Sequence, residues 1–217
     1  MTPPNQSQRV TEGTAQSPTY YDGPTHDSGD VHLRFRYLTY RNHLGLVAGI
    51  NFCVRCTIDR PGKEIWPYFS DFNLWQPDHY YSGVLRDLEG KTFHLSIGQS
   101  NDPARNDPAQ HQYVMQRVIP EYALVIHQPV LEQRYQALPG LGGVSPGFHV
   151  FTLNEHNCKT LITGLMNHES VMAAASKNLV MTDEQALEPW RAAVPEWLRK
   201  WRDDFFPLLK KLVQEDR

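Results

Sequence analysis

The sequence predicts an α+β fold, a curved antiparallel sheet of about seven strands wrapped around a long C-terminal helix, with two short helices after the first strand. Three patterns carry that expectation. Strand-like segments follow one another from Tyr80 to Asn167 with only turn chemistry between them, which implies an antiparallel meander. The closing segment repeats Leu187, Trp190, Val194, Trp197, Leu198, Trp201, Phe205, Leu208 and Leu212 at spacings of three and four, as an amphipathic helix does. Between the first strand and the later ones the period turns helical, with Ile65, Trp66, Phe69 and Phe72 on one side.

The first strand has the clearest alternation. Ile50, Phe52, Val54, Cys56 and Ile58 fall on one face, and Asn51, Cys53, Arg55, Thr57 and Asp59 on the other. Cys53 and Cys56 therefore point to opposite faces, and their C-x-x-C spelling offers neither a redox pair nor half a zinc site. Pro61 stands at the entry of the first short helix, where its missing N–H costs nothing, and a second short helix is expected over residues 72–75 before Pro77. The strands that follow are YYSGVLRDL, TFHLSIG, QYVMQRVI, ALVIHQPVLE, GFHVFTLNE and KTLITGLMN. The tandem NDPAR-NDPAQ is too short to be a structural repeat and reads as twin Asx-Pro turns.

Thr182 and Gln185 have the spacing of a capping box at the start of the terminal helix. Pro189, Pro195 and Pro207 each delete a backbone hydrogen bond, so the helix should be long but bent, and firmest from Glu196 onward. It is the one element long enough to cover the apolar face of the sheet. A twisted sheet wrapped on a single helix leaves a gap, and such gaps hold small molecules.

Composition narrows the class. The chain has 217 residues, 40% of them hydrophobic, enough for a real interior and for one domain with an appendage. Twenty-one basic against 24 acidic residues leave a net charge of −3, which gives no global reason to bind nucleic acid or an anionic membrane. The N-terminal segment lacks the pattern of a secretory leader, and no window nears the ~18 apolar residues of a membrane span. Three cysteines suit reduced thiols, so a cytoplasmic location is expected. Residues 1–30, with Pro3, Pro4, Pro18 and Pro24, read as a disordered tail, residues 31–48 as an N-terminal extension, and residues 49–217 as the main domain.

Two stretches, CTIDRPGKEIWPYFSDFNLWQPD and GFHVFTLNEHNCKTLITGLMNHES, together with the element order, resemble the START-like or SRPBCC superfamily, the helix-grip fold that includes polyketide cyclase/dehydrase proteins. The resemblance covers residues 50–215. It implies a cavity between sheet and helix that takes a hydrophobic or aromatic molecule, and, in some members, cyclisation, aromatisation or dehydration promoted by Arg, Tyr, His or carboxylate groups. No cofactor and no metal is implied. The chain departs from the family in its 48-residue leader, which offers a lid or a homodimer contact, and in Asn154-Glu155-His156-Asn157, which replace the turn glycines of the late hairpin.

Polar residues inside apolar strands are the candidates for chemistry, because a buried titratable group is costly unless it is paired or used. His149 shares a face with Phe151 and Leu153, Arg117 shares one with Tyr113 and Met115, His127 interrupts ALVIHQPVL, and Glu169 follows His168 at the end of the last strand. Arg134 and Tyr135 fall in the loop beyond the fifth strand. The catalytic set read from this pattern is His149 and Glu169 as acid and base, their pKa values moved by a dry pocket, with Arg117 or Arg134 stabilising enolate charge. The ligand wall is expected from Trp75, Tyr81, Tyr113, His127, Tyr135, Phe151, Trp197 and Trp201.

Other motifs carry less. Ten histidines form no His-Glu-x-x-His and no tight His/Cys cluster. Gly143-Val144-Ser145-Pro146-Gly147 spells a nucleophile elbow, but a strand rather than a helix follows it and no histidine lies beyond His168. The segment His32, Arg34, Phe35, Arg36, Tyr37, Tyr40 and Arg41 mixes charge with aromatics, which reads as a solvated edge rather than a nucleic-acid surface. The expected function is binding of a hydrophobic or aromatic small molecule with a cyclisation, dehydration or other lyase-type acid/base step. The alternatives are a non-catalytic carrier and an interaction module using the N-terminal segment.

Overall fold

Strict alternation over residues 50–58 decides which side of the sheet becomes the interior, and the rest of the fold follows from that face. The computed structural model describes residues 17–42, 45–71, 74, 79–81, 92–97, 112–128, 147–172 and 180–215. Nine strands form a single antiparallel sheet: β1 (Thr19–Ser28), β2 (Val31–Asn42), β3 (Gly45–Ile58), β4 (His79–Tyr81), β5 (Thr92–Ile97), β6 (Gln112–Ile119), β7 (Ala123–Gln128), β8 (Gly147–His156) and β9 (Lys159–Val171). Their spatial order is β1-β2-β3-β9-β8-β7-β6-β5-β4, two meanders joined where β3 pairs with β9. Strands β3 to β9 are the seven expected.

The N-terminal segment corrects the reading of a tail. Residues 19–28 pair with β2 along nearly their whole length, and the register slips only between Asp22 and Thr25, around Gly23-Pro24. A proline is tolerated at a bulge on an edge strand, and a polar edge needs backbone partners more than buried side chains, which is why hydropathy missed it. Arg36 lies over the Tyr20 ring at 4.6 Å. The boundary expected at residue 49 falls inside β3, and residues 31–48 supply β2 and the start of β3, so the leader is continuous with the sheet.

The inner face is made of Leu33 and Phe35 from β2, Ile50, Phe52 and Val54 from β3, Ile162 and Met166 from β9, Phe151 and Leu153 from β8, and Leu124 and Ile126 from β7, all buried. Against it lies the C-terminal rod, α2 (Asp183–Leu198), a π-helical turn (Arg199–Phe205) and α3 (Phe206–Glu215). Trp201, Phe205 and Phe206 are fully buried and pack with Phe151 and Phe69. This is the helix-grip arrangement.

The rod starts with the expected capping box: Gln185 N–H donates to Thr182 Oγ1 at 3.3 Å, and Thr182 N–H to Gln185 Oε1 at 3.0 Å. Asp183, in its first turn, accepts hydrogen bonds from Thr39 Oγ1 at 2.7 Å and Tyr21 Oη at 2.8 Å, which ties β1 and β2 to the helix and holds the carboxyl below its usual range. The expectation that the helix is firmest beyond Glu196 does not hold. Phe206 N–H reaches back five residues to the carbonyl of Trp201, and Pro207 has no N–H for the carbonyl of Asp203, so the ladder widens there.

Helix α1 (Gly62–Phe69) buries Ile65, Trp66 and Phe69, and its first N–H, that of Gly62, donates to Glu155 Oε2 at 2.9 Å. Glu155 is held there by the β8–β9 turn, where Asn157 and Cys158 take positive φ values of 51° and 58°; a primed two-residue turn does the work that glycines would do. The second short helix expected over residues 72–75 falls mostly outside the described residues, as do the two NDPA turns and the Gly143–Pro146 loop. Among the described residues no helix is long and apolar enough to cross a membrane.

Candidate functional site

Register places the candidate residues. In the β8–β9 pairing, His149 sits opposite Met166 and Phe151 opposite Gly164, while Gly147 sits opposite His168. In the β3–β9 pairing, His168 sits opposite Ile50, whose side chain is fully buried. His149 and His168 are thus both on the inner face, one register step apart, beneath the rod. Their Nε2 atoms are 3.2 Å apart and their rings meet edge to face at 69°. One Nε2–H donates and the other Nε2 accepts, so the two rings hold different tautomers.

The surroundings fix both rings. His168 lies nearly parallel to Trp197, 5.7 Å between centroids, and to Phe52 at 6.2 Å, and Phe52 stacks on Trp197 at 5.1 Å. A Cβ at Gly147 would stand 3.2 Å from His168 Nδ1, so the absence of a side chain there leaves room for the imidazole. At Gly164 a Cβ would meet the Phe151 ring at 2.5 Å, because that ring packs directly on the glycine. Trp190 stacks 6.4 Å from Trp197 and buries its indole N–H with no acceptor among the described residues.

Lys200, at the start of the π turn, completes the cluster. Its Nζ is 5.0 Å from the Trp201 ring centroid, and its charge acts on both histidines. Burial, then the charges of His168 and Lys200, hold the His149 imidazole well below its ordinary value. Burial and Lys200 push His168 down to about 4, and burial pushes the Lys200 ammonium down to about 8 against the pull of Glu196. At neutral pH the site therefore holds two neutral imidazoles and an amine that gives up its proton readily. All three side chains are only half-buried, although Phe52, Phe151, Trp201 and Met166 around them are buried.

Of the residues expected at the site, His149, Phe151, Trp197 and Trp201 come together. Glu169 does not join them. It lies on the opposite face of β9 from His168, where Tyr40 Oη donates to Oε2 at 2.7 Å and Asn167 Nδ2 to Oε1 at 3.0 Å. Arg117 is exposed on that same outer face, opposite Val125, because a register shift between Met115 and Arg117 breaks the alternation that linked them. The acid/base pair His149–Glu169 and the enolate role for Arg117 are corrected accordingly: strand parity separates both residues from the histidines. Trp75, Arg134 and Tyr135, and the side chains of Tyr81, Tyr113 and His127, lie outside the described residues.

The sequence reading missed His168 and Lys200. Strand β9 offers two competing faces, Leu161-Thr163-Leu165 and Ile162-Gly164-Met166, and only pairing with β3 selects the second; Leu165 remains 54% exposed. Lys200 stands among the charged residues between the apolar positions of the terminal helix, and nothing in the spacing signals the widened turn. The N-terminal patch also divides by parity, with Phe35 and Tyr37 buried and His32, Arg34 and Arg36 outside. Cys56 is buried, its thiol pushed up to about 12, while Cys53 faces the other way. Among the described residues no three His, Cys, Asp or Glu are grouped closely enough to hold a metal.

No family model and no curated protein sequence matches the chain. Solved structures do. CalU16 from Micromonospora echinospora matches with 18% identity over 92% of this chain and 93% of its own, at a TM-score of 0.40. A Thalictrum flavum norcoclaurine synthase point mutant in complex with a transition-state analogue matches with 14% identity over 78% and 96%, at 0.46. Ara h 8.0201 matches with 8% identity over 77% and 99%, at 0.41. At such identities the likeness concerns the path of the chain, and the fold described above rests on this protein's own strand order and packing.

Proposed function

We propose that this protein binds a hydrophobic or aromatic small molecule in the space beside His149 and His168 and promotes a proton-transfer step on it, of the kind that drives cyclisation, dehydration or another lyase reaction. The observation that carries this reading is the pair of imidazoles held Nε2 to Nε2 at 3.2 Å in a wall of Phe52, Trp190 and Trp197. A neutral imidazole in a dry site is a base that water does not quench, and a second imidazole bonded to it can pass the proton on. An aromatic wall supplies apolar contact and stacking to orient a ring or polyene against that base. The half-buried state of the pair supports room for a guest.

The carrier reading draws on the same wall, since apart from His149, His168 and Lys200 its described members are apolar. Native mass spectrometry of the purified protein tests both readings by searching for a small molecule that travels with it, together with uptake of a hydrophobic fluorescent probe. A bound ligand that His149→Gln retains but no longer converts supports the enzyme; a ligand released unchanged by the native protein supports the carrier. A ligand-free protein that takes up no probe overturns both.

A further inference from the structure

We infer that Lys200 is a carbonyl-reactive residue: its ε-amine attacks the carbonyl carbon of an aldehyde or ketone seated beside His149 and His168 and joins it as an imine. The inference rests on the ligand-binding reading above and names the chemical class of the guest.

Position carries the argument. Lys200 follows Trp197 by three residues, so it projects from the side of the rod that covers His168, and it is the second residue of the π-helical turn. Its Nζ lies over the ring of Trp201, which packs on Phe151 at 5.6 Å, and Phe151 is two residues from His149 on β8. Two lysines elsewhere on the surface are held by carboxylates: Lys159 Nζ is 2.9 Å from Asp59 Oδ1, and Lys210 Nζ is 2.8 Å from Asp30 Oδ2. Lys200 makes no ion pair among the described residues. Its charge acts on His149 from β8 and His168 from β9, and Glu196 from its own rod acts on it in turn. An amine with its pKa near 8 in apolar contact is free base in appreciable fraction under mild conditions, and the free base is the nucleophile.

The step balances without an oxidant or reductant. The Nζ lone pair forms the N–C bond while the carbonyl π pair moves to oxygen, which takes up a proton to give a carbinolamine. The C–O bond then breaks, the nitrogen gives up its proton, and water leaves, so that amine and carbonyl yield imine and water. In this scheme the hydrogen-bonded imidazoles accept a proton from nitrogen and return one to the departing hydroxyl.

The full-length protein incubated with naphthaldehyde and sodium cyanoborohydride, which reduces any imine to a stable secondary amine, provides the test by intact mass and peptide mapping. The expected result is a single dominant adduct at Lys200, about tenfold above any other lysine, lost in Lys200→Met and slowed in His149→Gln. Adducts spread over surface lysines, with Lys200 not preferred, overturn the inference whether or not the Lys200→Met protein folds, because the map is made on the native chain. Uptake of a hydrophobic fluorescent probe is followed in parallel. Probe uptake without Lys200 labelling defeats the imine alone, whereas absence of both defeats the ligand-binding reading as well.

Discussion

His168 and Glu169 are neighbours in the chain and belong to different chemical worlds. His168 packs beside the stacked rings of Phe52 and Trp197, and its imidazole is held neutral by desolvation. Glu169 looks out from the other face of the same strand and keeps its oxygens bonded to Tyr40 and Asn167. The Asn167 amide also donates to Asn51 Oδ1, so the outer face carries a chain of polar groups that satisfy one another. A polar network of that kind stabilises the sheet modestly, whereas an imidazole pair in an aromatic wall is costly to keep unless it is used. The pleat of one strand decides which description applies.

Substitutions on the two faces should therefore differ in size and in what they move. The largest loss is expected for Phe151→Ala, which empties the space above Gly164 and beside Trp201; urea unfolding should show about 3–5 kcal/mol. Gly164→Ala forces the Phe151 ring off the strand and should cost about 1–3 kcal/mol in the same assay, with the far-UV spectrum retained. A loss from Gly164→Ala below a few tenths of a kcal/mol would break the account of how the inner face is packed.

Acidity gives the next test. Both imidazoles titrate lower in the folded chain than the ordinary 6.5, His168 at about 4. As pH falls below about 6.5 the unfolded chain takes up protons that the folded chain refuses, so stability is full above that pH and drains away toward pH 4, at up to roughly 1.4 kcal/mol per pH unit for each histidine. Replacing both histidines by glutamine should flatten this slope between pH 4 and 6.5, measured by urea midpoints across that window. An unchanged slope would show that the pair is not buried as a neutral unit. The smallest effect belongs to the outer face: Tyr40→Phe removes one hydrogen bond to Glu169 and should cost about 0.5–1.5 kcal/mol, leaving the histidine resonances unmoved in an NMR titration.

Much of the fold was legible because periodicity reports directly on burial. Alternation over residues 50–58, spacing along residues 187–205 and the Thr182–Gln185 box each turned up where expected, whereas beyond the π turn the buried positions are Leu209 and Val213 instead of Leu208 and Leu212. The edge strand β1 was not legible, since its pairing is made by backbone groups that every sequence carries. At the site, His149, Phe151, Trp197 and Trp201 could be named because each interrupts or completes a local pattern. His168, Lys200 and the exclusion of Glu169 could not, because each depends on which of two faces a strand turns inward or on how a helix is wound.

Amino-acid order alone determined most of the elements, the strand that sets the interior and the helix that covers it, because local hydrogen bonding and apolar spacing act over a few residues. Tertiary structure alone decided the site. The approach of two histidines 19 residues apart, and of a lysine from the opposite layer, is a long-range coincidence of register and packing that no local pattern encodes.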